Sequence, residues 1–190
     1  MSVREHELPH IVWAPTPNHG QRAGAKVERV VLHTWGVRYT TEKAEAASYQ
    51  GVINYFREPQ SQVSAHFVFP GSAKPNEITQ MIAYRDYAWA EAAYNKTSVE
   101  IECADAIWQG KDHAGLAQLA HITGYLLHHF NLQPVHRTSG GFCRHGDLGV
   151  AGGGHTACPT TDLKFFDHFA LLVQEHYKAG GYRTITWGHR

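Results

Sequence analysis

The sequence predicts a single α/β domain. Stretches with strand-like apolar patterning alternate with segments of helical periodicity along the chain. Its 190 residues suit one sizeable core, and no repeat, low-complexity tract or linker divides them.

Residues 1–26 carry Pro9, Pro15, Pro17, Gly20 and Gly24 and read as an irregular lead to a core spanning 27–178. Val27 to His33 is β-branched and nearly continuous in hydrophobicity after Arg29, which predicts a strand buried on both faces. It ends in His33-Thr34-Trp35-Gly36, so an imidazole stands at the strand's exit, where sheet-based sites commonly lie. Thr40 or Thr41 is placed to cap a helix to about Phe56, with Ala44, Ala47, Val52 and Phe56 near one face. Val63 to Phe69 alternates, setting Ser64, His66 and Val68 on one side, and Ile78 to Ala83 reads as the returning strand of a hairpin.

Arg85 to Lys96 reads as a surface loop with aromatic residues. Thr97 to Cys103 is a further alternating strand, with Val99, Ile101 and Cys103 opposite Ser98, Glu100 and Glu102. Asp112 caps a predicted helix to Phe130, and Pro134 to His136 is a short strand. Thr160 or Thr161 caps a last helix with Leu163, Phe166, Phe169, Ala170, Val173 and Tyr177 inward; Gly180-Gly181 ends it, and 179–190 form a tail.

Seventeen basic and seventeen acidic residues balance, so nothing in the charge points to nucleic acid. No stretch approaches the roughly 18 apolar residues of a membrane span, and the first ten residues lack the apolar run of a secretory signal. The expectation is a chain made in the cytoplasm, not inserted in membrane, and monomeric. Three cysteines, Cys103, Cys143 and Cys158, at irregular spacing argue against a disulfide framework.

The chemistry concentrates in Arg144–Asp162, RHGDLGVAGGGHTACPTTD, where His145 and Cys158 bracket a glycine-rich loop. Two ligands do not make a zinc site; His33 offers a third and leaves the fourth position open, as a catalytic zinc requires. Spacing alone is weak evidence, because histidine and cysteine can be picked from any chain. Cys143 competes as a ligand, although a fourth protein ligand would close the open position. Gly152-Gly153-Gly154 is no phosphate cradle, since no Walker lysine follows.

VVLHTWG, VSAHFVF, SVEIE and HTACP, in this order, resemble the type 2 N-acetylmuramoyl-L-alanine amidases over roughly residues 27–175. That family shares its fold with the peptidoglycan recognition proteins and includes many phage endolysins. The resemblance implies a central mixed β-sheet flanked by helices, with a zinc cleft on one side. It implies hydrolysis of the amide between the lactyl group of N-acetylmuramic acid and L-alanine of peptidoglycan, followed in an endolysin by lysis of the host wall. By the same resemblance His33, His145 and Cys158 hold one Zn²⁺, Glu102 is the catalytic carboxylate, and Thr156 is an oxyanion donor.

Each has a plainer reading beside it: Glu100 shares Glu102's face, Thr156 is an ordinary loop hydroxyl, and His66 fills the sheet face beneath the site. His155 is left without a place. Where other members carry a tyrosine before the second-strand histidine, this chain has Ala65. The alternatives are a cytoplasmic muropeptide-recycling amidase and a non-catalytic peptidoglycan-binding module.

Overall fold

A computed structural model describes residues 8–36 and 42–180, without the side chains of 42–47. The expected Thr40 or Thr41 cap, the side chains of Ala44 and Ala47, and the tail from Gly181 onward lie outside these residues.

The elements are β1 (His10–Trp13), β2 (His19–Gln21), β3 (Arg29–Thr34), α1 (Glu42–Arg57), β4 (Phe67–Phe69), β5 (Glu77–Gln80), β6 (Asp86–Ala88), β7 (Ser98–Cys103), α2 (Asp105–Trp108), α3 (His113–His129), β8 (Gly141–Arg144) and α4 (Leu163–Ala179). Six strands form a mixed sheet in the order β1-β5-β4-β7-β3-β8, and β2 pairs with β6 apart from it. β4 and β5 run antiparallel as the expected hairpin, and every other pair in the large sheet is parallel. β3 is buried along Arg29–His33 because β7 and β8 flank it and both its faces are covered.

Alternation divides the sheet chemically. Val30, Leu32, Phe67, Phe69, Val99, Ile101 and Cys103 turn to one side and pack with Leu116, Leu119, Ile122 and Leu126 of α3 and Phe166, Phe169 and Val173 of α4. Each such side chain contributes about 1.5–3 kcal/mol when fully buried. On the other side Tyr49, Ile53 and Phe56 of α1 cover Val68, Ala65 and Met81. Arg29 and His33 of β3, His66 just before β4, and Ser98, Glu100 and Glu102 of β7 share that second side, so the site lies on the α1 side of the sheet.

Several expectations are corrected. The irregular lead contains two strands, and β1 forms the sheet's edge by pairing in parallel with β5; short strands bounded by prolines leave too little periodicity to read. The strand expected at Pro134–His136 is a single bridge, His136 to Phe142, and the ladder belongs to Gly141–Arg144. Asp162, not a threonine, caps α4 by accepting from the Phe165 amide at 3.0 Å. Leu163 is exposed rather than inward. Asp112 caps α3 as expected, and it also accepts from the Ser72 amide at 2.7 Å, tying α3 to the turn after β4. Arg85–Lys96 is not a plain surface loop, because it holds β6 and the fully buried Glu91.

Candidate metal centre

The three parallel strands β3, β7 and β8 end together, and the site is built on their C-terminal ends. Leu32 pairs with Arg144, so one step further brings His33 beside His145, with ring centroids 4.4 Å apart. Cys158 arrives from the other end of the glycine-rich loop. One ligand atom from each of His33, His145 and Cys158 lies within 4.8 Å of the others, which makes a group able to hold a metal ion.

The loop closes because Gly146 has no side chain. Its amide donates to the Cys158 carbonyl at 2.8 Å, and a Cβ there would sit 2.6 Å from the Thr156 carbonyl oxygen. Arg144 adds a second tie, donating to the Thr160 carbonyl at 2.8 Å while pairing with Asp147. Gly153, with φ of 103°, takes the turn that a side chain would resist.

Both imidazoles are oriented through Nε2. His33 Nε2 meets Glu91 Oε1 at 2.8 Å, and His145 Nε2 donates to the Gly152 carbonyl at 2.8 Å. Each ring therefore keeps Nδ1 as its unshared nitrogen. Burial, with His145 adjacent, pushes His33 down to about 3, and burial also lowers His145, so both rings are neutral at neutral pH, the form in which imidazole can bind a metal. Burial and the nearby Glu102 push the Cys158 thiol up to about 12, opposed by a hydrogen bond from the Thr34 backbone. Two neutral imidazoles and a thiol, with no fourth protein donor in the group among the described residues, match the set a catalytic zinc takes.

Glu102 is the Cα partner of His33 across the β3–β7 ladder and lines a cleft of about 340 Å³ with Trp35, Ser48, Val52, Tyr55 and Phe56. Burial raises its carboxyl to about 8. Glu100, two residues earlier on the same face, does not reach the cleft. It is fully buried and paired with His66 Nδ1. Burial would raise Glu100, but His66 and Arg22 outweigh it and hold this carboxylate low. His66 thus lies beneath the site rather than in the ligand group.

Thr156 is exposed on the loop, its amide donating to the Gly154 carbonyl at 2.9 Å. His155 is also exposed, and its ring centroid stands 4.7 Å from that of His145. Cys143 is buried with Val31 and Leu148 and is not in the ligand group; Cys103 belongs to the opposite core. Sequence reasoning missed Glu91. The available signal was a lone charge set among apolar residues, Trp89-Ala90-Glu91-Ala92-Ala93-Tyr94, which is unusual in an exposed loop.

The family model described as N-acetylmuramoyl-L-alanine amidase matches residues 23–161. N-acetylmuramoyl-L-alanine amidase A of Achromobacter lyticus is 29% identical over 92 residues, which take in 48% of this chain and 45% of that protein; the match spans less than half its length. Among solved structures, the Staphylococcus aureus hydrolase AmiA, in complex with its ligand, superposes with a TM-score of 0.67 at 19% identity, over 90% of this chain and 85% of that one. A mutant endolysin from Bacillus subtilis gives 0.63 at 18% identity, over 87% of this chain and 99% of that one. These structural likenesses speak to the fold.

Proposed function

The chain belongs to the N-acetylmuramoyl-L-alanine amidase family, and we propose that it is a zinc-dependent member cutting the lactyl–L-alanine amide of peptidoglycan. The observation that carries this is the grouping of His33, His145 and Cys158 at the strand ends, with Glu102 beside them in the cleft. Zinc bound there would polarise the scissile carbonyl as a Lewis acid and make water acidic enough to attack near neutral pH.

The remaining work falls to side chains of this chain. Glu102 takes the proton of the attacking water and passes one to the departing amine, a shuttle worth ~10²–10⁴-fold. Burial alone sets its carboxyl near 8, and a cation held by the neighbouring group would lower it toward the range where the base form is populated at neutral pH. Thr156, on the exposed loop, donates a hydrogen bond to the developing oxyanion. Trp35, Val52 and Tyr55 offer the cleft's apolar wall to the substrate and keep bulk water from the reacting amide.

Resemblance to endolysins over nearly their whole chains supports an enzyme of phage origin that acts on the wall after release from the cytoplasm. The test is product analysis on purified sacculi, with zinc and with a chelator. New L-alanine amino termini, intact stem peptides and peptide-free glycan are expected with zinc and lost with chelator. Cleavage within the stem peptide, or full activity after chelation, overturns the reading. Turnover confined to soluble anhydro-muropeptides, with sacculi untouched, would instead assign a recycling enzyme.

A further inference from the structure

Glu91 is a carboxylic acid with no exposure, placed against a residue of the ligand group. An unpaired acid in such a place costs several kcal/mol, so its partners must account for it. Asn95 fixes its backbone, its side-chain oxygen accepting from the amides of Ala90 at 3.1 Å and Glu91 at 2.6 Å. One carboxyl oxygen of Glu91 meets His33 Nε2 at 2.8 Å. The other, Oε2, makes no hydrogen bond among the described residues, and burial, with Glu100 nearby, raises the Glu91 carboxyl well above its ordinary range.

Behind Glu91 lies a buried chain of Arg22, His66 and Glu100. Arg22 Nη2 donates to His66 Nε2 at 3.0 Å, and His66 Nδ1 donates to Glu100. Glu91 Oε1 stands 2.8 Å from His33 Nε2, placed to accept its proton. Arg22 is itself held by the carbonyls of Tyr84 at 2.8 Å and Lys96 at 2.6 Å, so the chain is anchored well away from the cleft.

We propose that Glu91 is a positioning residue for the metal ligand His33. It holds Nε2–H from behind, so that the ring presents Nδ1 toward His145 and Cys158, and Asn95 keeps the Glu91 backbone in place. The proposal rests on the zinc reading above. A partner that fixes the tautomer and orientation of a ligating imidazole typically matters by 10–100-fold in metal affinity or activity. A merely structural buried pair makes the opposite prediction, since an apolar residue would replace it without touching the metal.

The test is zinc affinity by competition with a chromophoric chelator, for wild type, Glu91→Ala and Glu91→Gln, with ¹⁵N NMR of the histidine rings in zinc-free wild type. Glutamine keeps the acceptor, its carbonyl oxygen facing His33 Nε2. Wild type is expected to bind one zinc and to show His33 as the Nε2–H tautomer. Glu91→Gln should stay within about threefold, and Glu91→Ala should lose ~10–100-fold with faster zinc release. Should the alanine variant fail to fold, the tautomer and the glutamine variant still decide the matter. His33 in the Nδ1–H form, Glu91→Ala at wild-type affinity, or a folded Glu91→Gln that has lost tenfold or more would each overturn the proposal. Wild type failing to retain zinc would overturn both this proposal and the reading beneath it.

Discussion

Gly146→Ala attacks the metal centre without touching a ligand. The added Cβ would lie 2.6 Å from the Thr156 carbonyl oxygen and 3.2 Å from that of Cys158, both backbone atoms that cannot rotate aside. Relief requires the 156–158 segment to move off His145 by several tenths of an ångström, stretching the 2.8 Å bond from the Gly146 amide to Cys158. Overpacking of this kind costs about 1–3 kcal/mol, and the weakened hydrogen bond adds up to ~1 kcal/mol. For a domain of this size, a loss near 2 kcal/mol lowers Tm by about 4–8 °C. Metal sites tolerate ~0.2 Å in ligand distance, so zinc affinity should fall at least about tenfold as well. Thermal unfolding in chelator reads the first effect, and chelator competition reads the second. A variant that melts with wild type and holds zinc as tightly would show that Gly146 does not clasp the loop.

Cys158→Ala should abolish zinc retention and amidase activity together, measured by metal analysis and release of amino termini; full activity with zinc retained would move the third ligand elsewhere. Glu102→Gln should lower kcat by ~10²–10⁴-fold with zinc stoichiometry unchanged, and an active variant would reassign the base. In zinc-free protein Glu102 titrates near 8 against 4.5 when unperturbed, so between those values the folded state binds the extra proton. Its contribution is therefore present below about pH 4.5 and is lost as pH rises toward 8, because stability falls with pH wherever the native state binds more protons. Urea unfolding of the chelated protein across this range should show that slope in wild type, and a smaller one in Glu102→Gln. Asp112→Ala removes both the α3 cap and the tie to Ser72, costing about 2 kcal/mol, readable as a lower urea midpoint with unchanged zinc affinity.

How far the fold was legible follows from where patterning is strong. β3 and β7 are six residues each, with an unbroken or cleanly alternating pattern, and both were placed within two residues. β1, β2 and β6 have three or four residues and take their meaning from partners distant in sequence, which no local period reveals. The grouping of His33, His145 and Cys158 was legible because VVLHTWG and RHGDLGVAGGGHTACPTTD are local stretches whose chemistry is written in residue type. Glu91 was not, since its significance lies in a contact with His33 across the fold. The choice between Glu100 and Glu102 needed the sheet: they share a face, and neighbouring strands decide which is sealed by His66 and which opens to the cleft.

The strict alternation of β7 makes its reading frame a chemical quantity. Ser98, Glu100 and Glu102 point one way, and Val99, Ile101 and Cys103 the other. Slipping this strand by one position against β3 would bury two carboxylates among the phenylalanines of α4 and present a thiol and an isoleucine to the cleft. Few intermediates would be tolerated between those extremes, because the same displacement that empties the site also charges the core. Single-residue insertions or deletions in β7 should therefore be far more damaging than substitutions there, and the chain can vary its catalytic face only by exchanging residues in place.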